Sequence, residues 1–310
     1  MTDPAAMGST ALRLARLTLY VGLTLLLLPV QWFAVTLDRP LRWRLPLWYH
    51  RLCCRIIGLD VVVHGRISQD QPTLFVSNHT SYLDITVLGS LIPGSFVAKT
   101  DVASWPLFGT LARLQRTVFV DRKARNARVD ADTLRARLDR GDRMILFPEG
   151  TSSDGNRTLP FKSALFAVAS LRPAVKKRMV DCPNSTLPNS APNAGRGGEQ
   201  EFEPGPALTI QPVSIVATHL DGIPLGRELR SVYAWYGDMD LAPHLWSAIG
   251  MGRLRVAVTF HEPVSLDAFA SRKALANHCW GAVADGVADL SSGRVDDTDR
   301  EEKAEDRAIA

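Results

Sequence analysis

A histidine with an aspartate five residues downstream, His79 and Asp84, is the pair in this chain best suited to moving a proton. An imidazole held by a carboxylate at one ring nitrogen keeps the other free to take a proton from an alcohol. Spacing alone says little, because a solvated or capping histidine beside an aspartate that favours a helix start reads equally well. Local context sharpens the question. On one continuous helix, residues five apart are separated by about 140° and would not meet easily. Here the apolar run 74–76 predicts a strand that enters Ser77, Asn78 and His79, with a helix beginning near Thr80 or Ser81. His79 then occupies a strand-to-helix turn, with Asp84 one turn inside the helix and able to reach back. Asn78 is placed to fix that turn through its side chain.

A second turn adds chemistry. The strand-like run 144–147 enters Pro148, Glu149, Gly150, Thr151, Ser152 and Ser153, followed by a predicted helix over 159–171. A glycine-containing turn leading into a helix offers backbone N–H groups to a phosphate or an oxyanion. Glu149 has a plainer reading as a surface turn residue. The run 117–120 ends in Asp121 and Arg122, and Arg122 is geometrically suited to a phosphate, against a plain strand-end ion pair. Lys99 stands at the end of another apolar segment, where it either adds positive charge or is simply solvated.

The elements that position these residues follow from the rest of the chain. Strand-like runs at 74–76, 117–120, 144–147, 210–216 and 254–260 alternate with helical stretches, so the fold class is α/β. A helix over 124–140 would place Val129, Leu134 and Leu138 on one face and stop at Gly141. The segment 173–206, rich in Pro, Asn, Gly and Ser, reads as a disordered insertion, and the polar tail 291–310 as disordered. The expected organisation is an N-terminal membrane anchor and interfacial helix over 1–60 and a catalytic domain over 61–290.

The anchor rests on 17–37, which carries no charge and is about long enough to cross a bilayer core. It is too long for the apolar core of a signal peptide, and no small-residue cleavage site follows. Arginines flank it on both sides, five downstream and two upstream, and the Trp- and Arg-rich stretch 41–59 suits the headgroup layer. A spanning helix with the catalytic domain in the cytoplasm fits, and so does a bent hairpin inserted into one leaflet, which the proline at 29 favours. The net charge of +4 is modest, with no stripe of interleaved basic and aromatic residues, so nucleic acid is not an expected partner. Four cysteines without CxxC or metal-ligand spacing point to a reducing compartment and no metal.

Taken together, the blocks NHTSYLD (78–84), Phe108-Gly109 with TVFVDR (117–122), FPEGTSS (147–153) and QPVSI (211–215) resemble the glycerolipid acyltransferase family, in that order. The resemblance runs from the anchor to about Pro263. It implies a mixed sheet flanked by helices, no bound cofactor, and an acyl thioester of coenzyme A or acyl carrier protein as co-substrate. It further implies His79 as general base, Asp84 as its orienting group, and Arg122, Glu149, Gly150, Thr151 and Lys99 around the acceptor. The acceptor it implies first is 1-acylglycerol-3-phosphate, giving phosphatidic acid at the cytoplasmic membrane. LARLQRTVFVDR and AWYGDMDLAPHLW resemble a bacterial branch that acylates lyso-ornithine lipid, whose acceptor lacks a phosphate. Two departures bear on the acceptor: Gln115-Arg116 where the family usually has a glycine, and Ser163-Ala164 where it has a small-glycine pair. A lipid-directed thioesterase or hydrolase would use the same histidine with water. No GxSxG elbow supports Ser81 or Ser152 as a nucleophile.

Overall fold

In the computed structural model the described residues are 9–105, 107–120, 127–170, 174–176, 202–204 and 208–295. The apolar runs become a mixed sheet of seven main strands: β1 (Leu59–Gly65), β2 (Thr73–Ser77), β3 (Ser95–Lys99), β4 (Val118–Val120), β5 (Met144–Leu146), β6 (Thr209–Leu220) and β7 (Leu254–Phe260). Their order is β1-β7-β6-β2-β5-β3-β4. β2, β5, β3 and β4 run parallel, as do β6 with β2 and β1 with β7, while β7 lies antiparallel to β6.

Helices cover both faces. They are α1 (Thr10–Thr36), α2 (Leu41–Ile57), α3 (Leu83–Leu91), α4 (Phe108–Leu114), α5 (Ala127–Leu138), α6 (Leu241–Ala248) and α7 (Arg272–Ser292). Alternate residues of β2 serve opposite cores. Phe75 packs with Ile57, Val87 and Leu88 on the α2–α3 side. Leu74 and Val76 pack with Leu275, Cys279 and Val283 on the α7 side. A strand buried on both faces reads as an unbroken apolar run, which is why β2 and β5 stand out in the sequence. Gly141 ends the α5 turn at φ +79°.

Four expectations are revised. The predicted helix over 159–171 is an irregular run followed by a 3-10 helix over Ser163–Ser170, so the Gly150 turn leads into no helix N-terminus. The helix after His79 begins at Leu83, with Thr80 to Tyr82 in the turn before it. The chain reverses at 37–40 rather than at Pro29, which α1 accommodates, giving a two-helix hairpin of α1 and α2. Helix α7 runs past the start of the predicted tail at 291; the tail's remainder, and nearly all of the predicted 173–206 insertion, lie outside the described residues. Arg122 lies outside them too.

Candidate active site

Parallel strands that end together create a crevice beyond their carboxyl ends, a usual place for ligands in an α/β sheet. His79 follows β2, Glu149 follows β5, and Lys99 closes β3 at the same edge. The turn at His79 is anchored by Asn78, whose Nδ2 donates to the Ile215 carbonyl and whose Oδ1 accepts from the Ile215 N–H, each at 2.9 Å. One side chain thereby continues the β2–β6 ladder by a rung and aims the next residue outward.

Asp84 lies in the first turn of α3 and is fully buried, at 0% exposure. A buried carboxylate needs donors, and it has four. Oδ2 accepts from the N–H groups of Thr80 at 2.7 Å and Ser81 at 2.9 Å, and stands 2.9 Å from Nδ1 of His79. Oδ1 accepts from the Tyr233 hydroxyl at 2.6 Å. The two backbone donors belong to the turn before α3, so one carboxylate in the helix's first turn both ties that turn and orients the histidine. The carboxylate acceptor assigns the proton of neutral His79 to Nδ1, which leaves Nε2 with a lone pair. The imidazole stacks on Phe147, centroids 4.1 Å apart, and Phe147 on Phe96 at 6.2 Å, fixing the ring plane.

Glu149 supports the histidine from below. It is 1% exposed, and its Oε1 accepts the His79 N–H at 3.3 Å. Burial, reinforced by the Asp84 charge and opposed by the His79 N–H, pushes its carboxyl up to about 8. The plain reading of Glu149 as a surface turn residue is therefore overturned. Its folded-state value exceeds the unfolded one, so the group's stability contribution is fully present below about pH 4.5 and is lost as pH rises through 8. Glu149→Gln should flatten the fall of melting temperature between about pH 5 and 8, as thermal melts across that range would show. An unchanged slope would contradict the assignment.

The Gly150 turn is spent on the site itself. Gly150 adopts φ +70° and its N–H donates to Phe147, while the Ser153 N–H donates to the His79 carbonyl at 2.9 Å. Thr151 is exposed beside them. His79, Asp84, Glu149, Gly150 and Thr151 are thus brought together. Lys99 is exposed at the end of β3.

Sequence reasoning read the segment after β6 only as a branch resemblance and missed its part in the site. Tyr233 holds Asp84, the Trp235 N–H donates to Thr80, and Ser152 donates to the Trp235 carbonyl. Tyr82 meets His244 Nδ1 at 3.0 Å. Nothing in periodicity links Tyr233 to a residue 149 positions away.

His79 opens onto a partly open cavity of about 270 Å³ bordered by α1, α2, α4 and the start of α3, with a wall of Leu27, Leu28, Ile85, Phe108 and Leu111 among others. Neither candidate serine is offered to an acyl group: Ser81 is buried with Oγ accepting from Leu83, and the Ser152 hydroxyl is engaged. Among the described residues no group of three or more His, Cys, Asp or Glu is placed to hold a metal. The arrangement suits proton abstraction from a hydroxyl beside a long apolar substrate.

Comparison with known proteins agrees with this chemistry. The family model described as Acyltransferase matches residues 60–183. A lyso-ornithine lipid O-acyltransferase of Rhizobium meliloti is 39% identical over 278 residues, covering 89% of this chain and 86% of the relative. One of Brucella abortus is 40% identical over 257 residues, covering 83% and 86%. A 1-acyl-sn-glycerol-3-phosphate acyltransferase of Neisseria gonorrhoeae is 39% identical over 119 residues, covering 36% and 44%. In fold, the chain is similar to the crystal structure of the 1-acyl-sn-glycerophosphate acyltransferase from Thermotoga maritima, with a TM-score of 0.55, 23% identity, and coverage of 88% and 94%. A histidine–aspartate pair facing an apolar cavity, on a chain similar along most of its length to named acyltransferases, makes this protein a member of the acyltransferase family.

Proposed function

We propose that this enzyme transfers a fatty acyl group from a thioester to the hydroxyl of lyso-ornithine lipid, with His79 as general base. The opening of His79, its Nδ1 committed to Asp84, onto an apolar cavity carries the reading. Nε2 takes the hydroxyl proton as the oxygen attacks the thioester carbonyl carbon. The tetrahedral intermediate then collapses, the C–S bond breaks, and the imidazolium returns the proton to the departing thiolate. With both serines occupied, transfer is direct, without an acyl-enzyme. The thiol carrier is coenzyme A or acyl carrier protein, and no resident cofactor takes part.

Support for this acceptor comes from which relatives align over most of the chain. Those covering 83% and 89% of it carry the lyso-ornithine name, whereas the glycerol-phosphate relatives of Neisseria gonorrhoeae and coconut cover 36% and 38%. Lysophosphatidic acid is the alternative acceptor, for whose phosphate the exposed Thr151 and Lys99 are candidates, together with Arg122 outside the described residues. A competition assay offering purified enzyme both lysolipids with one labelled thioester decides between them. The expected product is mainly acylated ornithine lipid; mainly phosphatidic acid would reverse the assignment.

Residues 1–60 form the membrane anchor and 61–290 the acyltransferase domain, facing the cytoplasm from the inner membrane. Helix α1 is docked along its length: Arg16 donates to the Ile249 carbonyl at 3.1 Å, and Gln31 to that of Leu114 at 2.8 Å. These ties to the catalytic domain support an α1 that stays with it at the membrane surface. Its outward face exposes Leu14, Leu19, Leu25, Leu26, Trp32 and Phe33, suited to lying in one leaflet, so the hairpin is favoured over a spanning helix.

A further inference from the structure

The cavity that receives the acyl chain in this reading is not apolar throughout. Gln31 of α1 and His50 of α2 both line it, at 8% and 6% exposure. The Gln31 amide has one orientation only, because its Nε2 donates to the carbonyls of Leu114 at 2.8 Å and Arg42 at 3.2 Å. Its Oε1 is buried without a partner, and so is Nδ1 of His50. The Gln115 side chain lies against that of His50. Both residues therefore meet the C-terminal end of α4, one at Leu114 and the other at Gln115, where the cavity also reaches.

Strand register gives the depth of this corner. Ser95 pairs level with Met144, Met144 with Leu74, and the Ser95 hydroxyl donates to the Gln115 carbonyl at 3.4 Å. His79 lies five residues beyond Leu74 in sequence. At about 3.3 Å per residue the corner stands roughly 15 Å from the imidazole along the strand direction. An extended hydrocarbon with C–C bonds of about 1.5 Å advances about 1.25 Å per carbon, which brings about the twelfth carbon to the corner.

We propose that this corner is a hydrogen-bonding subsite for a hydroxyl carried deep on the donor's acyl chain, an inference that rests on the acyl-transfer reading above. Gln31 Oε1 accepts the hydroxyl proton. Burial keeps His50 neutral, its pKa lowered to about 4, and it donates to the hydroxyl oxygen from Nδ1 in the tautomer whose Nε2 accepts from the Gln115 amide. An unsubstituted chain leaves both buried atoms unsatisfied, which a site built to hold a hydroxyl penalises.

The test uses the full chain in phospholipid vesicles, one lysolipid acceptor and thioesters of equal chain length. One is unsubstituted, one carries a hydroxyl at the third carbon and one at the twelfth. The expected kcat/KM is about tenfold or more higher for the twelfth-carbon hydroxyl than for the unsubstituted chain, with no gain at the third carbon. In Gln31→Leu and His50→Phe, each checked for folding by thermal melt, that ratio falls toward one. Equal rates for wild type with all three donors would overturn the subsite and leave its polar atoms to buried water. A preference that survives in a folded variant overturns it as well. Absence of transfer from every thioester would instead sink the acyl-transfer reading.

Discussion

His79→Gln should lower kcat by about 10²–10⁴, the range that a positioned general base contributes. The substituted amide cannot take the hydroxyl proton, so attack must begin from a neutral alcohol. Binding should survive, because the apolar cavity is built mainly by α1, α2 and α4 and is untouched. The Asn78 anchor and the bonds from the Thr80 and Ser81 N–H groups to Asp84 also remain in place. A change in KM larger than that in kcat would place His79 in binding. Turnover within a factor of two of wild type would remove it from the chemistry.

Asp84→Asn should cost a comparable factor by a different route. The amide oxygen can still accept from Thr80, Ser81 and His79, and the Tyr233 hydroxyl can turn to accept from the amide N–H. The fold is thus retained, yet the imidazolium formed during transfer loses its counter-charge. Where the amide settles in its other orientation, the neutral histidine takes the wrong tautomer. Neutralising the orienting carboxylate in a well-known histidine triad costs about 10⁴ in kcat, and a loss of roughly 10³–10⁴ is expected here. Steady-state kinetics on a variant with wild-type circular dichroism checks this. A loss below tenfold would mean that the backbone turn and the Phe147 stack orient His79 without Asp84.

Much of the site was legible because it is local. Leu74, Phe75 and Val76 sit on a strand buried on both sides, and the turn after it brings a histidine and an aspartate five residues apart into contact. Turn and helix together allow what one continuous helix forbids. What remained hidden depends on packing across the chain. Tyr233 reaches Asp84 from beyond β6, and Glu149 supports His79 by burial that no composition reveals. The Gly150 turn suggested an anion site on the strength of a following helix. The chain instead runs irregularly there, and the N–H groups of Gly150 and Ser153 are used to build the turn around His79. The N-terminal hairpin was readable as an apolar run. That its inner face would form the wall of the reaction chamber was not, because Thr24, Gln31 and Tyr49 look like interruptions until α1 and α2 are seen packed together.

The most direct test of the account follows a thioester labelled in its acyl group, with and without lyso-ornithine lipid. If His79 activates a lipid hydroxyl for direct attack, cleavage depends on the acceptor and the label appears as ester in the diacyl product. Cleavage at the same rate without acceptor, with the label released as free fatty acid, would contradict it and make the protein a hydrolase.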